Sequence, residues 1–185
     1  MNETPTEDGF SEHRKQPFFR DFESVAKILQ PDADPRTMAI VTVAYLENYI
    51  VEIIKLRMPG LDHDLHEKLF EHGILSAFVA KLDIAVAMGV LHPDASKQMK
   101  LFAKIRNEFA HNFSVTEFDH PDVAKIVDKL IIRIESAEGS SVERVVGSQL
   151  GCDRKWHFSM LAMSQIMSLY GILIRRFNES RVDES

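Results

Sequence analysis

The chain has 185 residues, 45% of them hydrophobic and 27% charged, the balance of one globular domain with an apolar core rather than of a disordered polymer. Its 22 Lys and Arg against 28 Asp and Glu leave a net charge of -6, which excludes wholesale attraction to polyanions, so any nucleic-acid surface has to be local. A single cysteine, Cys152, excludes an internal disulfide and a thiolate metal site and fits a reducing cytoplasm.

Residues 1–16 are polar, lack the apolar run of a secretory leader and read as a tail. A first helix is predicted over Phe18–Gln30, burying Phe18, Phe22, Val25 and Leu29 and ended by Pro31. Asp34 then caps a second helix, with Pro35 in its first turn, that runs to about Met58, where Pro59 and Gly60 stop it. Its apolar stretch from Met38 to Leu56 is interrupted by Glu47, Asn48, Glu52 and Lys55, which marks a core helix and not a membrane span. A short third helix fits Asp62–Glu71, and a fourth fits Leu75–Met88, stopped by Gly89.

The fifth and sixth helices start alike. His92-Pro93-Asp94 and His120-Pro121-Asp122 each put proline in the first turn beside an acid that the helix dipole favours. Ala137 to Gly151 is rich in Ser and Gly and reads as a flexible arm, and strand-period alternation is not evident. Asp153 caps a long last helix to Phe177, so apolar around its circumference that a homodimer contact and simple central burial both remain open. Residues 178–185 read as a second tail. The expected fold is all-α, a compact bundle of about seven helices over residues 17–177.

Three of these helices direct a charge toward the core. Glu47 falls in the arc of Ile40, Val43, Ile50, Val51 and Ile54 on the second helix, and the almost wholly apolar fourth carries Lys81 and Asp83. On the fifth, Phe102, Ile105, Phe109 and Phe113 form the expected buried stripe, with Arg106 about 40° from its centre. An unpaired buried charge costs several kcal/mol, so Glu47, Lys81, Asp83 and Arg106 are expected to meet one another, with Glu47 and Arg106 as the preferred pair. Such a cluster is either a structural ion pair that fixes helix packing or a polar pocket, with Arg106 as a phosphate ligand or the group as a small-ligand sensor.

The opposite face of the fifth helix repeats Lys97, Lys100, Lys104, Asn107 and His111 at helical spacing. That stripe is either a solvated helix face or a track for the phosphate backbone of RNA or DNA ending at an imidazole suited to acid-base work. Arg106 and His111 are five residues apart, about 140° on a regular helix, which keeps them from reaching one small group together. A His-x-x-His spacing at His63 and His66, with Asp62, Asp64 and His72 near in sequence, lacks a committed third ligand and reads as a surface helix with no metal. Cys152 and His157 are too loosely related for a nucleophile pair, and no phosphate loop or other cofactor motif appears.

Three stretches together, AIVTVAYLENYI from Ala39, GILSAFVAKLDIAVAMGVL from Gly73 and KIRNEFAHNFSVTEFDHPDV from Lys104, resemble the mannitol operon repressor (MltR) family of bacterial regulators. The resemblance covers Thr37 to Val127, with Lys81, the Gly89 stop and the Arg106 to His111 segment in the family's order. It implies an all-helical, cytoplasmic repressor of transcription that works in a complex with a protein partner, without a helix-turn-helix. RNEFAH is itself similar to the arginine, polar residue, spacer, histidine motif of HEPN domains (higher eukaryotes and prokaryotes nucleotide-binding). That second resemblance implies metal-independent RNA cleavage across a dimer interface by Arg106, Asn107 and His111, although the tyrosine found after the histidine in some members is replaced by Asn112 and Phe113. The leading expectation is the regulator, acting through protein contacts or loose nucleic-acid contacts, with the ribonuclease as the alternative.

Overall fold

The most apolar long stretch of the chain becomes the centre of the bundle. In the structure, a computed structural model that describes residues 24–135, 141–145 and 153–182, a helical segment over 24–28 leads into α1, Pro35–Lys55. A short α2, His63–His66, runs on into a π-helical turn, Glu67–Glu71; then come α3, Phe78–Ala87, α4, Pro93–His111, and α5, Pro121–Val127. Strands β1, Ile131–Glu135, and β2, Ser141–Val145, pair antiparallel, with Ile131 opposite Val145 and Arg133 opposite Glu143. The last helix, α6, covers Arg154–Val182.

The body is the expected all-α bundle, and the hairpin is an addition to it. Its strands are five residues each, and the crowding of Leu130, Ile131 and Ile132 hides the alternation that follows, so a strand signal was missed. Ser141–Val145 belongs to the stretch read as a flexible arm; the rest of that stretch, Cys152, residues 1–16 and the expected burial of Phe18 and Phe22 lie outside the described residues. At the other end α6 continues past Phe177 to Val182.

α1 packs against α3, α4 and α6. Met38, Leu46, Ile50, Ile53 and Ile54 of α1 are buried, as are Met99, Phe102, Ile105 and Phe109 of α4 and Phe158, Leu161 and Ile166 of α6. Phe102, Phe158, Phe118 and Phe109 form a chain of rings with successive centroids 5.0, 4.7 and 5.1 Å apart, tilted or edge-on contacts that add about 1 kcal/mol each beyond their buried area. By length and composition alone α1 and the Arg154–Arg175 part of α6 could each cross a membrane. Charged residues within α1 therefore do not by themselves settle its character, but half of its most apolar window is buried inside the bundle, the place of a core helix.

Helix ends are closed by side chains read directly from the local sequence. Asp34 accepts the Thr37 N–H at 2.7 Å. His92 and His120 accept the N–H of Asp94 at 3.2 Å and of Asp122 at 3.3 Å through Nδ1, and each acid pairs with a lysine one turn on, Asp94 with Lys97 at 3.0 Å and Asp122 with Lys125 at 2.6 Å. The shared start is thus a His-Pro-Asp-x-x-Lys cap used twice. Arg154, at the start of α6, binds both oxygens of Asp128 at 2.9 and 3.1 Å and Asp119 at 2.6 Å. These hydrogen bonds raise the guanidinium pKa further still. Ser159 donates to the Leu29 carbonyl at 2.6 Å and Lys155 to that of Pro31, tying α6 to the end of the leading segment.

The C-terminus of α4 is closed from a distance. Arg36, in the first turn of α1, donates to the carbonyls of Phe109, Asn112 (3.3 Å) and Val115 (3.0 Å). Asn112 is already extended, with φ -114° and ψ 106°, so the helical register that would carry Phe113 into the buried stripe is lost. Phe113 is 88% exposed, against expectation, and its ring centroid lies 5.9 Å from the Arg36 guanidinium carbon. Replacing Arg36 with Ala leaves three carbonyls without this donor, and we expect urea denaturation to show a loss of about 2–4 kcal/mol, with Arg36→Lys intermediate because an ammonium cannot span all three.

His157 is fully buried in α6, and neither ring nitrogen has a hydrogen-bond partner among the described residues. Burial pushes its pKa below the ordinary value of 6.5, against the opposing pull of Asp128. The unfolded chain therefore takes up a proton that the native state refuses, so stability is full above pH 6.5 and falls as the pH drops from there toward the lowered native value. The urea midpoint should fall between about pH 7.5 and about pH 5.5, and His157→Leu should flatten that part of the profile. An unchanged slope in the variant would assign the acid sensitivity elsewhere.

Candidate functional site

One edge of α1 stays polar although the helix is central. Tyr45, Asn48, Glu52 and Lys55 recur at helical spacing away from the most buried residues, and they form one wall of a cleft of about 370 Å³. The facing wall is the α2 and π-helical segment, which contributes His66, Phe70 and Glu71, and the floor is the pair of Glu47 and Lys81.

Local chemistry explains the second wall. Asp62 caps α2 by accepting the Leu65 N–H at 2.8 Å, and the His72 N–H reaches back five residues to the Glu67 carbonyl at 3.2 Å, the wide ring that defines a π turn. Gly73 ends it. A Cβ there would lie 2.1 Å from the Lys68 carbonyl oxygen, so no other residue fits without moving the backbone. The π turn buries Phe70 and leaves Glu71 exposed at the cleft. His66 stacks on Phe70 with centroids 5.0 Å apart and planes inclined by 14°.

On the floor, the ammonium of Lys81, a residue only 5% exposed, donates to the Glu47 carboxylate and to the Ser76 carbonyl at 3.1 Å. The acid in the apolar arc of α1 therefore meets Lys81, not Arg106. Asp83 is not in the cluster: its side chain is 62% exposed and pairs with Lys100 at 2.6 Å. The two residues are about 200° apart on α3, so when Lys81 faces inward Asp83 must face out. Arg106 is half-buried, with its Nε enclosed and without a hydrogen-bond partner among the described residues.

The lysine stripe of α4 is partly neutralised. Lys97 is held by Asp94 and Lys100 by Asp83, while Lys104 is exposed with no ion pair among the described residues. Asn107 and His111 are exposed. α4 is helical through His111, so within one chain the separation of about 140° from Arg106 stands and no frayed turn brings the two together. His63 and His66 do not converge on a metal-type site either. Among the described residues, the ligand atoms that do come together are those of exposed Glu67, Glu71 and His72, within 4.8 Å of one another.

Sequence reasoning missed Tyr45, Asn48, His66, Phe70 and Glu71 as cleft residues. The polar stripe on α1 was visible at helical spacing; the facing wall was not, because it depends on a π turn. Replacing Glu47 with Gln leaves the buried Lys81 ammonium without its carboxylate, and we expect chemical denaturation to record a loss of about 3 kcal/mol. Exchanging both partners for Gln and Met together should cost less than Glu47→Gln alone.

No family model and no curated protein sequence matches the chain. The fold is similar to that of MtlR in the X-ray structure of the MtlR–HPr complex from Escherichia coli, at 15% identity and a TM-score of 0.51, covering 87% of this chain and 99% of that one. At that identity the likeness is one of fold.

Proposed function

We propose that this chain is a cytoplasmic regulatory protein of the mannitol operon repressor type that works by docking a partner protein, with HPr as the first partner to test. The observation that carries this reading is the fold shared with MtlR, a protein whose structure was determined bound to HPr, over 99% of that chain. It stands beside the order of Lys81, Gly89 and the Arg106 to His111 segment in the sequence.

The surface chemistry agrees. Phe113 is 88% exposed, and Trp156, Met160 and Met167 lie exposed along α6; aromatic and methionine side chains are enriched in protein interfaces. The run from Trp156 to Ile174 contains no Lys, Arg, Asp or Glu, so a homodimer would form on that helix without burying an unpaired formal charge. Two of the three stripe lysines already serve carboxylates, and the net charge is -6, which leaves little free positive charge for a phosphate backbone.

Isothermal titration of the full chain with HPr from the same organism should give a dissociation constant at or below about 10 μM. Phe113→Ala and Trp156→Ala, both at exposed positions, should identify the docking face by weakening binding with the fold intact. Absence of any heat or NMR shift with HPr at hundreds of micromolar, on the order of the weakest transient complexes, would sink this reading.

A further inference from the structure

From the charges and faces of the cleft beside α1, we infer that it is a binding site for a small organic ammonium ion, a primary amine or diamine. Its volume of about 370 Å³ is at the small end of the range for small-molecule sites. Two of its carboxylates are engaged, Glu47 by Lys81 and Glu52 by Lys55 at 2.7 Å. Both cleft lysines are thereby spent, so no free cation among the described lining residues awaits an anion. Glu71 is left over: no lysine or arginine lies within ion-pair distance of it among the described residues.

The second observation is His66. Its Nε2 is enclosed with no hydrogen-bond partner among the described residues, and the residue lines the cleft with Glu71. A buried polar atom left unmade is costly, and a ligand N–H in the cleft that the ring nitrogen reaches by a small turn of the His66 side chain removes that cost. Asn48, exposed on the opposite wall, offers an amide oxygen to another N–H. Phe70 and the tyrosines of α1 present aromatic surface to the alkyl part and to the cation. A hard divalent cation is a poorer match. It takes six or more oxygens, and Glu71 with Glu67, whose ligand atoms come within 4.8 Å of each other and of His72, offers at most four.

The reading concerns the cleft alone and is independent of partner docking. It is tested by isothermal titration and thermal melting of the full chain with 1,4-diaminobutane, using 1,4-butanediol and inorganic phosphate as comparison solutes. The diamine should bind and raise the melting temperature by mass action, while the diol and phosphate do neither. Glu71→Gln, at an exposed position, and His66→Phe, which keeps a ring stacked on Phe70, should each weaken diamine binding at least about tenfold, with circular dichroism unchanged. The inference is overturned by no diamine binding at about 10 mM, by diol binding as tightly as the diamine, by preferential phosphate binding, or by wild-type affinity in both variants.

Discussion

An ammonium withdrawn from water has to find a carboxylate, and in this bundle Lys81 of α3 finds Glu47 of α1. The pair holds the rotation of both helices. Turning α1 to put Glu47 in solvent would carry buried Val43, Leu46 and Ile50 out of the core, and turning α3 to free Lys81 would move Leu82 and Ala85 with it. Because Lys81 faces inward, Asp83 faces out and is available to Lys100 of α4, so a second cross-helix pair follows from the first. The same pair lines the cleft, where it is the contribution of α3 between the polar edge of α1 and the α2 wall.

Around that centre the helices pack along their sides and are tied by hydrogen bonds at their ends. Arg36 serves the carbonyls at the end of α4, Arg154 serves the acids flanking α5, and Ser159 and Lys155 serve the end of the leading segment. Each joins groups far apart in sequence and satisfies polar atoms that would otherwise be orphaned where a helix stops. His157, buried one turn into α6 beside these joints with both nitrogens unserved, is the exception, and its neutral state is the consequence.

What was legible in the sequence was local. Asp34, the two His-Pro-Asp starts and Gly89 act within a turn or two of themselves and behave as read, and the apolar arcs of α1 and α4 do so except at Ile40 and Phe113, which are exposed. What was not legible depends on a partner elsewhere in the chain. Glu47 needed a cation, but choosing Lys81 over Arg106 requires the relative placement of α3 and α4. Phe113 was assigned to the buried stripe by spacing alone, and only Arg36, reaching the end of α4 from α1, accounts for the carbonyls exposed where that helix stops. The second wall of the cleft was hidden because a π turn is not a feature of the 3.6-residue period. The split between Lys81 and Asp83 was readable: two residues on a helix cannot share a face, and treating both as buried ignored that.

The segment from Arg106 to His111 shows how an interface of two faces can look like one site. Arg106 is half-buried with its Nε enclosed, while His111 stands exposed at the last turn of a helix that stays regular to its end. A single chain therefore cannot bring both to one phosphate. The lysines beside them are already committed in part to acids of the same molecule. Polar groups with unmet demand also occur beside α1, where His66 and Glu71 line the cleft with the polar edge of that helix. A paired charge has little left to offer a ligand, so the polar capacity that the bundle holds in reserve lies with groups such as Glu71 and His66 at the cleft and Arg106 Nε on α4.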